Sequence, residues 1–362
     1  MKKLRVAVLM GGPSPERDVS LGTGEQIVAA LDPQRYSVLP VEITKDGKWL
    51  PRPEMVPLPA PSSAPAPGGG LAAAARRVPG LMRGRIEPAP TTYDRFVERE
   101  QVDVAFIAMH GPYGEDGTMQ GLLELLGIPY TGSGVLASAL AMDKLRSRQI
   151  FEWHRLPVPG YLSVSRNVWR DRAHVHHQVE TLIGYPCVVK PNAVGSSIGI
   201  SLVRDAQRLE AAVKTAFGFG PIVLVEEYVA GVEITCGIVD DPDTGEPVPL
   251  PLVEIVPHAD FYDYDAKYAA GGSDHIIPAR VSEDVSKRAQ ALAVRAYQAL
   301  GCEGMSRVDM IARETDIVVL EVNTIPGMTA TSLLPDAAKA AGISFPDLLD
   351  RIIRSSLRRS QR

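Results

Sequence analysis

The stretch that decides the fold is GCEGMSRVDMIARETDIVVLEVNTIPGMTATS, residues 301–332. Side-chain alternation predicts two short strands in it, Met305–Ala312 and Ile317–Asn323, joined by a polar turn. Each strand carries two polar side chains at alternate positions. Pairing through the turn brings all of them onto one face: Arg307, Asp309, Glu321 and Asn323.

The two faces of this hairpin differ in character. We expect the opposite face to be core, made of Ser306, Val308, Met310, Val318, Leu320 and Val322, and the polar face also to carry Ile311, Ile317 and Val319. The hairpin would then be covered on both sides. Burial of the polar face matters because a half-exposed ion pair contributes little to stability, whereas buried charges require strong partners. Carboxylate and amide oxygens hold Mg²⁺ against phosphate oxygens, so we interpret the hairpin as a phosphate-transfer site, with a plain cross-strand ion pair as the alternative.

The whole chain has 362 residues, enough for two or three domains with cores of their own. It is 45% hydrophobic with a formal net charge of −5, which argues against a nucleic-acid partner. Three widely separated cysteines, Cys187, Cys236 and Cys302, predict a reducing compartment with neither a disulfide framework nor a zinc site. No apolar run reaches about 18 residues, so we expect a cytoplasmic protein without a membrane span.

The beginning of the chain predicts a doubly wound α/β unit. Leu4–Met10 is expected to be a buried strand, Glu16–Leu31 a helix and Ser37–Ile43 the next strand. The turn lacks GxGxxG, so a dinucleotide fingerprint is absent. Glu16 lies where ligands bind in open α/β sheets. Considered by itself, however, it is better explained as an acidic residue that interacts with the dipole of the following helix.

Three later segments complete the pattern. A strand ending at Lys190 runs into a Gly/Ser loop at 192–199, which resembles a phosphate cradle but on its own is only a weak signal. Residues 261–275 are dense in aromatic and charged side chains, as in functional lids. Residues 51–90 form a low-complexity insertion rich in proline, alanine and glycine, without an assigned function.

Seven stretches together resemble one family, the D-alanine–D-alanine ligases of the ATP-grasp superfamily. They are GGPSPERDVSL, HGPYGEDGTMQGLLELLGIPYTGSG, AMDKLRSR, VVKPNAVGSSIG, VEEYVAGVE, FYDYDAKY and SRVDM…LEVNTIPGMTATSL. The resemblance implies a mixed α/β, three-domain ATP-grasp architecture. Residues 1–135 would form a Rossmann-like substrate domain, residues 136–226 a central lid domain and residues 227–362 the domain that carries the metal site.

The resemblance also implies an activity and its ligands. The enzyme would ligate two D-alanines through a D-alanyl phosphate, release ADP and phosphate, and supply peptidoglycan synthesis. It would use ATP and two Mg²⁺ (or Mn²⁺) ions and form a homodimer. The resemblance assigns metal binding to Asp309, Glu321 and Asn323. Nucleotide binding falls on Lys144, Lys190, Gly195, Ser197, Glu226, Glu227, Tyr228, Val229, Glu233 and Lys267.

Substrate positioning and catalysis fall, under the same resemblance, on Glu16, Ser196, Tyr268, Arg307, Gly327 and Ser332. Glu16 would hold the first substrate's ammonium and link through Ser196 to Tyr268. Arg307 and the Gly327 N–H would form the oxyanion hole. Lys267 and Ser332 would reach the second substrate's carboxylate. One departure is Glu227, which stands where related enzymes can carry lysine.

Two rival hypotheses remain. One is a D-alanine–D-lactate or D-alanine–D-serine ligase, against which Tyr268 and Leu333 favour the dipeptide form. The other is an ATP-binding regulatory module without turnover. Glu16, Arg307 and Ser332 argue against that module, because nucleotide binding alone requires none of them.

Overall fold

The N-terminal β-α-β unit lies in a four-stranded sheet of order β3-β2-β1-β4. The computed structural model describes residues 3–52, 101–195, 198–257, 273–313, 315–329 and 332–360. Strand β1 pairs in parallel with β2 and β4, as its apolar sequence predicts. Beside β4, an isolated parallel bridge joins Ala105 to Tyr130. The elements are β1 (Leu4–Gly11), α1 (Arg17–Ala30), β2 (Tyr36–Ile43), β3 (Trp49–Pro51), β4 (Val104–Ile107), α2 (Thr118–Leu125) and α3 (Val135–Met142).

The second sheet is also four-stranded, with order β5-β8-β6-β7 and antiparallel pairs throughout. Helix α4 (Lys144–Trp153) precedes it and begins at the N-cap Asp143, whose side chain accepts from the Arg146 N–H. The remaining elements are β5 (Tyr161–Ser165), α5 (Arg172–Gln178), β6 (Cys187–Pro191), β7 (Ser201–Val203), α6 (Ala206–Phe217) and β8 (Ile222–Glu227).

The third sheet has six strands, with the path β12-β11-β9-β13-β14 and β10 paired to β9. Helix α7 (Glu283–Leu300) covers one face with a stripe of buried alanines. The end of the predicted lid loop, 273–275, belongs to strand β12. The strands are β9 (Val232–Asp240), β10 (Pro247–Pro249), β11 (Val253–Pro257), β12 (Ser273–Ile276), β13 (Met305–Ala312) and β14 (Ile317–Asn323).

The last two helices, α8 (Leu333–Ala340) and α9 (Phe345–Arg359), return the chain to the first sheet. Ile352 and Ile353 of α9 belong to the same buried cluster as Val6 and Val8 of β1. The Tyr36 hydroxyl donates to Asp350, which also pairs with Arg35 at 2.6 Å. Helices from the end of the chain therefore help to build the N-terminal core, and the domain limits stay predictions.

Two predicted segments lie outside the described residues. They are residues 53–90 of the insertion and residues 258–272, which include most of the proposed lid. Among the helices that the structure describes, none has both the length and the apolar character needed to cross a bilayer.

The hairpin β13–β14 has the predicted strand bounds, but a β-bulge changes the predicted faces. Asp309 pairs with Glu321 and Met310 pairs with Val319, so Leu320 is an extra residue on β14. As a result Ile317 and Val319 lie in the core with Val308 and Met310, and not on the polar face; Leu320 is only partly buried. Val318 is buried as expected, but it pairs with Ile311 on the opposite face. The assignment of Val318 and Leu320 to the face of Val308 and Met310 was therefore wrong, because strict alternation holds only without a bulge.

This bulge predicts unequal losses of stability for two neighbouring truncations. Val319→Ala should lower the free energy of unfolding by about 2 kcal/mol, because it removes fully buried methyl groups. Leu320→Ala, the matched control, should cost about 1 kcal/mol or less because the side chain is partly exposed. Urea unfolding of both variants measures the difference. A larger loss for Leu320→Ala would mean that the strand follows strict alternation.

Candidate active site

Glu16 lies at the end of β1, where the chain turns through Gly11 and Gly12 into α1. It is the N-cap residue of the helix and only 4% exposed. A Cβ at Gly111, where φ is +70°, would collide with its carboxylate, and a Cβ at Gly195 would lie 3.3 Å from its Oε2 atom. These glycines therefore let two loops approach the carboxylate closely. Glu16 and the start of the Gly/Ser loop are neighbours.

His110, at the end of β4, makes two contacts within the protein. Its Nε2 atom lies 3.1 Å from Thr23 Oγ1, and its Nδ1 atom lies 3.3 Å from Glu115 Oε1. The ring is buried. A histidine at the end of a strand can either touch a ligand or make structural hydrogen bonds, and these contacts support the structural role for His110.

Lys144, the first residue of α4, connects the Gly/Ser loop to the hairpin. Its Nζ atom donates to the Val194 carbonyl at 2.8 Å and lies 3.4 Å from Glu321 Oε2. The main chain beside it is fixed as well, because Asn192 Oδ1 accepts from the Leu145 N–H at 2.8 Å. Lys144 is thus held between the loop backbone and one of the predicted metal ligands.

Lys190 lies at the end of β6 in a buried ion-pair network. Its Nζ atom is 2.7 Å from Glu226 Oε2, and the other oxygen of Glu226 accepts from Arg148 at 3.0 and 3.1 Å. Burial raises the pKa of Glu226, but Arg148 and Lys190 outweigh it and hold the pKa below its usual range. The carboxylate is therefore ionised, with a cation on each oxygen.

Arg148 is a residue to which our sequence reasoning assigned no role. It lies in the stretch AMDKLRSR, one helical turn after Lys144, and is 1% exposed. The available signal was its spacing, because residues at i and i+4 share a helix face. The polar neighbours Arg146 and Gln149 hid that signal.

The polar face of the hairpin holds a two-pronged ion pair. Arg307 donates to both oxygens of Asp309, at 2.8 and 2.9 Å, and the Thr235 hydroxyl donates to Oδ1 of the same carboxylate at 2.7 Å. Arg307 and Asp309 are 6% and 8% exposed, so this is not the half-exposed pair of the alternative interpretation. Asp309 lies opposite Glu321 in the ladder, and Arg307 lies opposite Asn323.

These side chains form an oxygen-only donor set that fits a hard cation. Asp309 and Glu321 face each other across the strands, and Asn323 follows on the same face with Oδ1 accepting from the Ile325 N–H at 3.1 Å. Among the described residues, no cluster of three or more His, Cys, Asp and Glu side chains is arranged to hold a metal. A cation here would therefore also require ligands from a bound phosphate or water.

The segment between β8 and β9 carries residues that the resemblance assigns to nucleotide binding. Val229 is buried, Tyr228 is 39% exposed, and Glu227 is exposed, with Oε2 accepting from the Gly160 N–H at 3.4 Å. Glu233 follows in β9, opposite Ile311, on the face that also carries Thr235. Glu233 and the metal candidates therefore share one face of the third sheet.

Gly327 and Ser332 adjoin each other after the hairpin. A Cβ at Gly327 would lie 2.7 Å from Ser332 Oγ, and this oxygen accepts from the Thr329 N–H at 3.0 Å. Ser332 is also the N-cap residue of α8. The other predicted site residues, Ser196, Ser197, Lys267 and Tyr268, lie outside the described residues.

Comparisons with known proteins agree over nearly the whole chain. The D-ala D-ala ligase C-terminus family model matches residues 150–354, and the D-ala D-ala ligase N-terminus model matches residues 5–133. A curated D-alanine–D-alanine ligase from Desulforudis audaxviator is 43% identical over 351 residues, which is 97% of both chains.

Two solved structures show the same similarity in three dimensions. The D-alanine–D-alanine ligase from Bacillus anthracis, complexed with ATP, has a TM-score of 0.72 and 31% identity, and the match covers 99% of each chain. The VanG D-Ala:D-Ser ligase from Enterococcus faecalis has a TM-score of 0.76 and 32% identity, covering 98% of this chain and all of that one.

The ion pairs of Glu226 predict a specific pH dependence of stability. Because its folded pKa lies below the usual 4.5, ionised Glu226 stabilises the fold above about pH 4.5, and this contribution is lost as the pH falls through the folded pKa. Glu226→Gln should be about 3–5 kcal/mol less stable than the wild type at pH 7, and the gap should narrow toward pH 3.5. Urea unfolding across this range measures the gap. Exposed Glu227→Gln is the control, and a gap independent of pH would contradict the assignment.

Proposed function

The chain belongs to the D-alanine–D-alanine ligase family, and we propose on that premise that it joins two molecules of D-alanine at the expense of ATP, releasing ADP and phosphate. The main structural support is the arrangement of charged side chains around the hairpin. Lys144 and Lys190 are buried, and Lys144 reaches the hairpin on which Asp309 faces Glu321. Such a set of charges suits phosphoryl transfer, which depends on neutralising phosphate oxygens more than on covalent help.

The first step makes the carboxyl group of one D-alanine reactive. A carboxylate oxygen forms a bond to the γ-phosphorus of ATP while the bond from that phosphorus to the bridging oxygen breaks, so ADP leaves with the electron pair. Lys144 and Lys190 offset the charge on the phosphate oxygens. The product is an acyl phosphate, whose phosphate is a far better leaving group than oxide.

The second step forms the peptide bond. The amine of the second D-alanine attacks the acyl carbon and gives a tetrahedral oxyanion, which Arg307 and the Gly327 N–H would stabilise. Phosphate then leaves with the C–O electron pair and takes up the proton that the amine loses. Arg307 is already fixed by two hydrogen bonds to Asp309, so its guanidinium needs little reorganisation.

Substrate recognition is assigned to side chains around these groups. Glu16 would pair with the ammonium of the first D-alanine, and its burial beside Gly195 strengthens such a pair. Ser332 would donate to the second carboxylate. Ser196, Lys267 and Tyr268 retain the roles that the resemblance implies, and the lid at 261–275 would exclude water from the acyl phosphate.

A divalent cation fits the donor set of the hairpin. Asp309, Glu321 and Asn323 would hold Mg²⁺ or Mn²⁺, and the bound ion would screen the charge of the phosphate groups. The Asp309 carboxylate would then serve both Arg307 and the ion, which its four lone-pair positions allow. A second ion, a homodimer, a cytoplasmic location and the three domain limits belong to the same proposal.

An assay of ADP release tests this function. With ATP and Mg²⁺, ADP should form rapidly only when D-alanine is present, and D-alanyl-D-alanine should be the main product between pH 6 and 9. D-Serine and D-lactate are offered as competing second substrates, because VanG is similar in structure. Absence of ADP release even with D-alanine would favour a regulatory module without turnover, whereas a dominant mixed product would change the substrate assignment.

Glu321→Gln tests the metal site within this function. The variant should lose kcat by more than about 100-fold even at saturating Mg²⁺, because an amide carries no charge to offset the cation. Its melting temperature without ligands should change little, because the Glu321 side chain is 31% exposed. Asp316→Asn in the exposed turn of the same hairpin is the matched control. Near-normal activity of Glu321→Gln would make the carboxylate structural.

A further inference from the structure

Arg148 links the two sheets that meet at the site. Its Nε and Nη2 atoms donate to Glu226 Oε1 in β8, and its Nη1 atom donates to the Val319 carbonyl in β14. Strand β8 belongs to the second sheet and β14 is the edge of the third. One buried guanidinium therefore contacts both sheets.

At Val319, Arg148 donates a hydrogen bond to the edge strand of the third sheet. The Val319 N–H donates to the Pro157 carbonyl at 2.8 Å and its carbonyl accepts from Arg148, so both groups point away from β13. Val319 adjoins the bulge residue Leu320, and Glu321 follows directly. Arg148 thus fixes the backbone two residues before a predicted metal ligand.

Glu226 connects Arg148 to Lys190. Arg148 occupies one oxygen of Glu226 and Lys190 the other, at 2.7 Å. Two N–H groups of the arginine donate to Oε1 and fix the position of this oxygen, which limits how the carboxylate can turn. The position of the lysine Nζ atom then depends on the carboxylate. The chain of contacts runs from helix α4 to the cation assigned to the ATP phosphates.

We propose that Arg148 is a positioning residue for ATP, which orients Lys190 through Glu226 and ties it to the strand that carries Glu321. This inference rests on the proposed ATP-dependent ligation. It assigns to Arg148 an effect on nucleotide binding, whereas a purely structural arginine would affect both substrates and the folded state alike.

The test compares three variants from one helix. Arg148→Gln removes the charge, Arg148→Lys keeps it, and Arg146→Gln changes an exposed residue of the same helix whose guanidinium donates to Gln149. Arg148→Gln should raise KM for ATP, and Kd for a non-hydrolysable ATP analogue, by about 10- to 100-fold. KM for D-alanine should stay within about threefold in all variants. Arg148→Lys keeps the charge but loses the guanidinium that contacts Glu226 and Val319 together, so it should raise KM for ATP by an intermediate factor of about 3- to 10-fold, and Arg146→Gln should leave it unchanged.

The outcomes separate this proposal from its premise. A folded Arg148→Gln enzyme with unchanged KM for ATP, or with equal rises in KM for ATP and D-alanine, overturns it. If Arg148→Gln does not fold, Arg148→Lys decides, and an unchanged KM for ATP, or an equal rise in KM for ATP and D-alanine, overturns the proposal. Failure of the wild type to release ADP with D-alanine would instead contradict the ligase function, while calorimetry with the ATP analogue would still measure the effect of Arg148.

Discussion

Arg148, Lys190 and Glu226 are almost completely buried, and none of them can lose its partner without leaving a charge in an apolar environment. A buried ion pair seldom stabilises a fold more than apolar side chains of the same size would. Such a network therefore suggests a requirement other than stability. Here it keeps an ammonium group in a defined place at the end of β6, next to the Gly/Ser loop, before a nucleotide arrives. The second and third sheets must approach closely enough for the network to form.

The bulge at Leu320 lets the two halves of β14 turn their alternate side chains to opposite faces of the sheet. The beginning of this strand must place Ile317 and Val319 against α7, whereas its end must place Glu321 and Asn323 toward the site. With strict alternation these four residues would all lie on one face. One extra residue reverses the alternation in mid-strand, so the same short strand serves the core first and the site afterwards.

Local pattern predicted much of this molecule. The bounds of β13 and β14, the β-α-β unit and the shared face of Arg307, Asp309, Glu321 and Asn323 followed from alternation and turn chemistry, and the ATP-grasp fold followed from the resemblance. The bulge did not follow, because β-bulges depend on pairing between strands and leave no sure mark on one of them. Arg148 was missed for a related reason: a charged residue on a helix is usually solvated, and only the packing of two distant strands buries this one. The sharing of a core between β1 and α9 likewise depends on tertiary contacts.

Helix α4 holds the two cations that contact the second and third sheets at a fixed spacing. Lys144 and Arg148 are four residues apart, so they lie on one face about one turn, ~5.4 Å, from each other. Lys144 reaches Glu321 and the loop at Val194, while Arg148 reaches Glu226 and Val319. A rigid helix thus fixes the distance between the contacts of Lys144 and those of Arg148. A flexible loop carrying the same two cations would have to lose its conformational freedom at each turnover, whereas the helix has lost it once, on folding.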